Sequence, residues 1–269
     1  MKLVIFGLSI SSSWGNGHAT IWRGLCRALA SRRHQVVFFE RDVPYYAEHR
    51  DLTELPGLRL CLYPSWEEVV AAARAELSGA DAAIVTSYCP DAIAASDLVL
   101  SSNTRSVFYD LDTPVTLDRL RRGEAVEYIG PRGLRDFDLV LSYTGGAALT
   151  ELRERLGARR VFPLFGSVDP EAHRPVPSLE RFRADLSYLG TYAQDRQGTL
   201  DALFLAPARR LPERRFVLGG ALYPQEFPWT ENIFFVRHLP PAEHPAFYSS
   251  SALTLNVTRR AMACMGYCP

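Results

Sequence analysis

Short apolar segments alternate with helix-like segments along the first part of the chain, and this alternation is the feature that most constrains the fold. Val, Ile and Phe dominate the apolar segments, which is typical of strands that are buried on both faces. The predicted strands are 3–8, 36–39, 58–62, 82–86, 106–109, 138–142 and 160–162. The predicted helices are 18–31, 66–77, 90–100 and 145–157. The pattern predicts an α/β fold whose parallel sheet is covered by helices on both faces.

The alternation stops at residues 163–178, PLFGSVDPEAHRPVPS, which contain four prolines and no periodic pattern. Such a composition is typical of a linker between domains. Beyond it, the predicted strands are 185–189, 215–218, 233–236 and 252–256, and the predicted helices are 199–206 and 242–248. We therefore predict two Rossmann-like, doubly wound parallel-sheet domains, at 1–165 and 181–269, joined by a hinge at 166–180. The second has no final helix after its last strand, so we expect it to be incomplete.

The charge composition limits the functions that the chain can have. Its 30 basic and 30 acidic residues cancel, which argues against nucleic-acid binding through bulk electrostatics. Lys2 is the only lysine, which excludes a P-loop and an internal Schiff base. A phosphate site must therefore use arginine, backbone N–H groups or helix ends.

The cysteines and the hydropathy give further expectations. The five cysteines form no C-x-x-C pair, so neither a disulfide framework nor a zinc site is predicted. Cys264 and Cys268 lie at a spacing that places them on one face of a helix. No leader-like start and no apolar run of about 20 residues is found. We interpret the chain as a cytoplasmic protein without a transmembrane segment.

Ligands of open α/β sheets bind beyond the carboxyl ends of the strands, so the loops that follow the strands hold the candidate site residues. The first loop reads SSSWGNGHAT and leads into a helix. Gly15 and Gly17 would let the backbone approach a ligand, and His18 carries the side chain best suited to proton transfer near neutral pH. The alternative, a flexible turn whose histidine contacts only solvent, stays open.

Three further loops of the first domain contain candidates. Glu40 ends the second predicted strand, where a dinucleotide-binding fold places an acid on a ribose, although no G-x-G-x-x-G is present. A solvent-facing carboxylate is its alternative. Asp110 and Asp112 would point the same way from an extended chain, or they would form an Asx turn before Pro114. Gly145 and Gly146 begin a helix that would line a cleft.

The loops of the second domain also hold polar residues. Arg196 follows a strand in GTYAQDRQG and could hold a phosphate by a charge-assisted fork, or be merely solvated. Gly219 lies in a glycine turn after the next strand, and Asn256 and Arg259 follow the last one. The layout predicts a ligand held in a cleft between the two domains.

These pieces, in this order, resemble the GT-B glycosyltransferases. The resemblance is closest to the group-1-like bacterial proteins related to the spore-maturation glycosyltransferases. The similar segments are GLSISSSWGNGHATIWRGLCRAL, VVFFERDVPYY, FYDLDTPVTL, LSYTGG, PLFGSVDPEAHRP, LSYLGTYAQDRQ and LNVTRRAMACMGYCP. The resemblance implies transfer of a sugar, of the hexosyl type, from a nucleotide-sugar donor to an acceptor. The acceptor would be a glycan, a lipid-linked sugar or a small molecule, and neither a cofactor nor a metal ion is expected.

The resemblance also implies roles for particular residues. His18, Asp110 and Asp112 would be catalytic, with His18 as base. The implied acceptor-binding residues are Ser13, Trp14, Gly15, Asn16, Gly17, Gly145 and Gly146. The implied donor-binding residues are Gly190, Thr191, Tyr192, Arg196, Gly219, Asn256 and Arg259.

One departure from the family's pattern concerns the donor site. Relatives continue past the Cys-Pro dipeptide with a glutamate that binds the donor ribose, so we expect this chain to be truncated and to have little activity alone.

Two alternative functions are a NAD-dependent sugar-modifying enzyme and a two-domain sugar- or nucleotide-binding protein. The donor base, the acceptor, the stereochemistry and the oligomeric state do not follow from the sequence.

Overall fold

The computed structural model describes residues 1–52 and 54–268, which divide into two compact units. The first unit contains residues 1–12, 18–167 and 261–268, and the second contains 13–17 and 168–260. This division differs from the predicted boundaries in two short segments, because 13–17 group with the second unit and the residues from 261 onwards with the first. No helix in the described part of the chain is long and apolar enough to cross a membrane.

The first unit is built around a parallel sheet of seven strands in the order β3-β2-β1-β4-β5-β6-β8. The strands of this part are β1 (Lys2–Gly7), β2 (Gln35–Arg41), β3 (Leu58–Tyr63), β4 (Ala82–Thr86), β5 (Arg105–Asp110), β6 (Leu139–Ser142), β7 (Gly145–Gly146) and β8 (Val161–Pro163). The helices are α1 (Gly17–Ser31), α2 (Pro44–Ala47), α3 (Trp66–Leu77), α4 (Ala92–Leu100), α5 (Thr113–Arg121) and α6 (Ala147–Leu156).

Adjacent strand residues pack into cores on opposite faces of this sheet. Phe6, Phe39 and Phe108 belong to one core, whereas their neighbours Phe38 and Tyr109 belong to the other. Because both faces are covered, the strands are apolar without alternation, as the sequence predicted.

Helix α5 was not predicted, because Pro114 was interpreted as part of a turn. The helix starts at Thr113, so Pro114 lies in its first turn, where a missing N–H removes no helical hydrogen bond. The helix buries Thr116 and Leu117 against the unit. It thereby begins directly after Asp112, which decides where the two aspartates lie.

The second unit contains a parallel sheet of four strands in the order β11-β10-β9-β12. Its strands are β9 (Ala184–Leu189), β10 (Phe216–Gly220), β11 (Ile233–Arg237) and β12 (Ser251–Leu255). Its helices are α7 (Gln197–Leu200), which continues through a π-helical turn at Asp201–Leu205 into α8 (Ala206–Arg210), and α9 (His244–Ser249). The π turn precedes Pro207, which cannot donate to the preceding turn of an α-helix.

The described chain ends with two short elements, α10 (Arg260–Cys264) and β13 (Tyr267–Cys268). Strand β13 pairs antiparallel with β7 in the first unit. Cys264 ends the helix and Cys268 lies in the strand, so the two do not share a helical face. The side chain of Cys268 lies outside the described residues.

Candidate active site

The loops that follow β1, β4 and β5 lie together, because the carboxyl ends of parallel strands share one edge of a sheet. Tyr88 and Asp112 lie on these loops, Asp110 is the last residue of β5, and His18 lies in the first turn of α1. The structure therefore brings together the three residues that were predicted to be catalytic, and it adds Tyr88.

His18 is the second residue of α1, and its ring centroid lies 5.9 Å from that of Tyr88. Burial lowers the pKa of His18 below its ordinary value, and the negative charge of Asp112 acts in the opposite direction. The N-terminal end of a helix also disfavours a cation. The imidazole is therefore neutral near pH 7, which is the state that can accept a proton.

Asp112 precedes α5 and is half-buried. One of its carboxylate oxygens, Oδ2, accepts a hydrogen bond of 3.0 Å from the hydroxyl of Tyr88. Its charge also acts on His18. Asp112 therefore stabilises a protonated His18 and is itself oriented by a neighbouring hydroxyl.

Asp110 is fully buried, so the first of the two arrangements considered from the sequence, with both aspartates pointing the same way out of the sheet edge, does not form. Its Oδ1 accepts the Asp112 N–H at 3.1 Å, so the alternative Asx turn is the arrangement that forms. Among the described residues, Oδ2 has no hydrogen-bond partner with good geometry. Burial is the main cause that raises the pKa of Asp110 to about 6, although the nearby hydroxyls of Thr116 and Ser87 lower it.

Replacing Asp110 with asparagine is expected to stabilise the protein near pH 8 and to have a smaller effect near pH 4. The folded protein loses stability when a carboxyl whose pKa is raised by folding must ionise. For Asp110 this loss occurs as the pH rises from the ordinary pKa of 3.8 to the folded-state pKa of about 6. The difference in unfolding free energy between variant and wild type should therefore change by about 2–3 kcal/mol over this range. Urea unfolding at a series of pH values measures it, and a pH-independent difference would contradict the assignment.

Glu40 has neither of the roles considered from the sequence. It is fully buried at the end of β2, so it is not a solvent-facing carboxylate. Its carboxylate accepts hydrogen bonds from Ser9 Oγ, Ile10 N, Ser11 N and Ser11 Oγ, at distances of 2.6–3.0 Å. Glu40 therefore shapes the β1–α1 loop and is not exposed to a ribose.

The glycine-rich segment of this loop has only one glycine with a left-handed backbone. Gly15 has φ 58°, which favours glycine, and Asn16 N donates to Ser13 O at 3.1 Å across the turn. Gly17 starts α1, and a Cβ there would meet no atom within 4 Å. Only Gly15 therefore uses the conformational freedom of glycine in this turn. Ligand contact by 13–17, Trp14 included, stays a prediction.

Gly145 and Gly146 form β7, against which β13 pairs through the backbone. Gly146 has φ 67° and directly precedes α6. The hydroxyl of Tyr267 in β13 donates to Glu151 Oε1 at 2.7 Å. The two glycines predicted to bind acceptor thus contact the chain's own later segment.

Arg196 ends a 3₁₀ turn that follows β9 in the second unit. Its Nη1 donates to Thr191 O at 3.4 Å, and its Nε is buried without an acceptor among the described residues. The Arg196 charge also acts on the Tyr188 hydroxyl, lowering a pKa that burial raises. A buried guanidinium N–H without an acceptor is a suitable donor for a ligand oxygen.

Gly190 and Gly219 lie at the carboxyl ends of β9 and β10, where Gly190 N donates to Gly219 O at 3.0 Å. Gly220, which the sequence analysis missed, has φ 148°, and a Cβ there would collide with the carbonyl oxygen of Gly190. Glycine is therefore required at 220 because the backbone of Gly190 packs directly against it.

The other predicted donor-binding residues differ in their contacts. Arg259 Nε donates to Asp195 Oδ2 at 3.0 Å, which holds it near the Arg196 turn. Asn256 is exposed after β12. Tyr192 packs its ring against Tyr223 and Phe227.

Tyr88 and Gly220 were the residues that sequence reasoning missed. Each lies within two residues of the end of a predicted strand, Tyr88 in TSY at the fourth and Gly220 in LGG at the ninth. Their position at the carboxyl end of a predicted strand was the sequence signal that could have identified them as candidate site residues. Among the described residues, no group of three or more His, Cys, Asp or Glu side chains is arranged to hold a metal ion.

Comparisons with known proteins agree with this layout. Residues 196–267 match a protein family described as glycosyl transferase-like. A search of curated proteins found no match.

Solved structures share the fold over nearly the whole chain. An alpha-glucosyltransferase in complex with UDP and a 13-mer DNA has a TM-score of 0.61 at 15% identity, covering 95% of this chain and 73% of that one. The catalytic domain of starch synthase IV from Arabidopsis thaliana, bound to ADP and acarbose, has a TM-score of 0.57 at 13% identity, covering 94% and 77%. The Phytolacca americana UGT2 complexed with UDP-2-fluoro-glucose and pterostilbene has 0.50 at 11%, covering 97% and 81%. The chain has the GT-B glycosyltransferase fold, with two Rossmann-like parallel-sheet units.

Proposed function

We propose that this protein is a glycosyltransferase that moves a sugar from a nucleotide-sugar donor to an acceptor hydroxyl. The observation that carries the proposal is Arg196. Its buried Nε has no acceptor among the described residues, it lies at the carboxyl edge of a parallel sheet, and it begins the segment that matches the glycosyl transferase-like family. An anionic diphosphate fits such a donor.

Each unit contributes residues to the proposed reaction. His18, neutral and supported by Asp112, removes the proton from the acceptor hydroxyl. The hydroxyl oxygen then bonds to the anomeric carbon of the donor sugar, and the bond from that carbon to the diphosphate breaks. Arg196 and Arg259 stabilise the charge on the departing diphosphate, which lets transfer proceed without a metal ion.

Two finer points belong to the same proposal. Because one structure of the same fold is an alpha-glucosyltransferase, we propose a hexosyl donor. The order of the sequence motifs supports the relation to the spore-maturation glycosyltransferases. The acceptor is a glycan, a lipid-linked sugar or a small molecule.

Calorimetric titration with UDP, GDP, dTDP, ADP and NAD tests the proposal. Binding of one nucleoside diphosphate, followed by its release from the matching nucleotide sugar when acceptors are added, supports a transferase. Binding without any release of nucleoside diphosphate points to the alternative binding protein. Selective binding of NAD would overturn the proposal, and the buried, fully bonded Glu40 argues against that result.

Replacing Arg196 with alanine is expected to weaken binding of the nucleoside diphosphate by about tenfold to a hundredfold, the range for a lost hydrogen bond to a charged group. Arg209 is an exposed arginine of the same unit, so R209A is a matched control and should bind as the wild type does. The dissociation constants are compared by calorimetry at one salt concentration. Equal losses in both variants would show that only the overall charge of the unit matters.

Strand β12 carries an exposed apolar side chain. This strand lies at one edge of the four-stranded sheet, and Leu253 on it is 68% exposed. Apolar strand residues are normally covered by a neighbouring layer. We propose that further chain covers this edge in the active enzyme. A longer product of the same reading frame should then bury Leu253 and gain activity, whereas equal activity of the two forms would contradict this.

A further inference from the structure

Tyr88 has a backbone conformation that is unusual for a bulky residue. Its φ is 63°, in the left-handed region that favours glycine, and it lies two residues beyond the end of β4. Strain of this kind persists where the surrounding contacts over-determine the conformation, and it clusters at functional sites. The contacts of the Tyr88 side chain therefore indicate what the strain serves.

The side chain of Tyr88 contacts both members of the proton-transfer pair. Its hydroxyl donates to Asp112 Oδ2 at 3.0 Å, and its ring centroid lies 5.9 Å from that of His18. On its other side the ring packs against Tyr128, with centroids 5.0 Å apart. The ring is thus confined between an imidazole and a second phenol, while its hydroxyl is held by a carboxylate.

Tyr128 packs against the side of the Tyr88 ring that is turned away from His18. Its hydroxyl forms a hydrogen bond of 2.7 Å with Thr116 Oγ1 on α5, and Tyr128 is almost fully buried. Tyr128 therefore gives the ring of Tyr88 a fixed wall, and its own hydroxyl is bonded to Thr116 and not to Asp112.

We propose that Tyr88 is a positioning residue for the His18–Asp112 pair. Its hydroxyl holds the Asp112 carboxylate in one orientation, and its ring holds the imidazole of His18 in the orientation needed to receive the proton of the acceptor hydroxyl. The left-handed backbone is what brings both groups of one side chain to these two partners. The catalytic consequence rests on the proposed function, whereas the effect on His18 does not.

A second left-handed residue of the same unit provides a matched control. Arg33 has φ 62°, is exposed, and lies in the turn after α1, where its N–H donates to Ala30 O at 2.8 Å. Glycine at either position relieves the same backbone strain. R33G should therefore keep its turnover and unfold at the same or a higher temperature.

Two substitutions of Tyr88 separate its hydroxyl from its ring. Y88F keeps the ring and the strain but removes the donor to Asp112, and its kcat should fall by about tenfold or more, the loss expected for a hydrogen bond to a charged group. The KM for the donor should stay unchanged, because Tyr88 does not bind it. Y88G relieves the strain but removes the ring, so it should lose still more turnover, and its unfolding temperature should fall because the packing against Tyr128 is lost. Y63F removes a tyrosine hydroxyl that donates to a different carboxylate, Asp91 Oδ2, at 3.0 Å, and should leave turnover unaltered.

A second measurement does not depend on turnover. The titration of His18, assigned in NMR spectra by comparison with H18Q, should move to higher pH in Y88F, because Asp112 then acts on the imidazole with its full charge. Asp110, Tyr128 and Tyr143 are titratable groups that interact with Tyr88 or Asp112, and all three are retained in Y88F. Y63F should leave the titration of His18 in place.

The outcomes are distinct. If no nucleotide sugar supports transfer, the proposed function fails, and the titration of His18 alone decides the role of Tyr88. An unmoved titration in Y88F, or a Y88G variant with wild-type turnover, would overturn the proposal. If Y88G does not fold, Y88F still decides it, because that variant keeps every packing contact of the ring.

Discussion

Replacing His18 with alanine is expected to lower turnover by about a hundredfold to ten-thousandfold, the usual contribution of a general base. The imidazole is neutral near pH 7 because burial lowers its pKa, and the carboxylate of Asp112 stabilises the cation that forms when it takes the proton. The assay is the acceptor-dependent release of nucleoside diphosphate from the donor identified by titration. The acid limb of the wild-type profile should lie below the ordinary histidine pKa of about 6.5.

His34 provides the control for this substitution. It follows α1 at the other end from His18, and its Nδ1 contacts the amino terminus at 3.2 Å. H34A should turn over as the wild type does, and circular dichroism should show that both variants are folded. Near-normal turnover of folded H18A would show that His18 only supports the acceptor or the structure.

Replacing Glu40 with alanine should reduce the free energy of unfolding by about 4 kcal/mol or more, since each buried donor that loses its acceptor costs about 1–3 kcal/mol. Four donors on the β1–α1 loop lose this carboxylate at once: Ser9 Oγ, Ile10 N, Ser11 N and Ser11 Oγ. Urea unfolding of the two proteins measures the difference. Because the same loop leads into α1, turnover of the fraction that stays folded should also fall.

The loop is held from a second side by Arg23. Its Nε donates to Ile10 O at 2.9 Å, and its guanidinium pairs with Asp51. E40Q keeps the shape of the side chain but presents an amide N–H₂ where donors converge. Its free energy of unfolding should therefore lie between those of the wild type and E40A. E67A removes an exposed carboxylate from α3 and should change stability by no more than about 0.5 kcal/mol. An E40A loss as small as that of E67A would contradict the role of Glu40.

The strands and most helices of both units could be predicted, because burial on both faces produces apolar runs that survive in the sequence. The helix at 66–77 and the strand at 82–86 have the predicted bounds. Helix α5 could not be predicted in the same way, since a proline in TPVTLDRLR is compatible with a turn and with a first helical turn. Only the packing of Thr116 and Leu117 distinguishes the two.

The candidate site could be predicted only as a set of loops. Position after a strand identified His18, Asp112 and Arg196, since parallel strands bring their carboxyl ends to one edge. The same rule did not predict the burial of Glu40 and did not decide between the two arrangements of Asp110, because it does not say whether a polar group at the edge turns outward or inward. Glu40 turns inward to four donors, and Asp110 lies beneath the turn that starts α5.

The sequence by itself determined the α/β class, the two-domain order and the edge at which chemistry is expected, since strand periodicity, a proline-rich linker and glycine turns are local properties of the chain. Only the tertiary structure decided which of those polar groups are buried, and with them the pKa of Asp110, the neutrality of His18 and the unsatisfied Nε of Arg196. Tyr88 belongs with these, because its strained backbone and its contact with Asp112 depend on residues from three separate loops. Burial and partner choice are properties of packing between segments distant in sequence, and no local pattern encodes them.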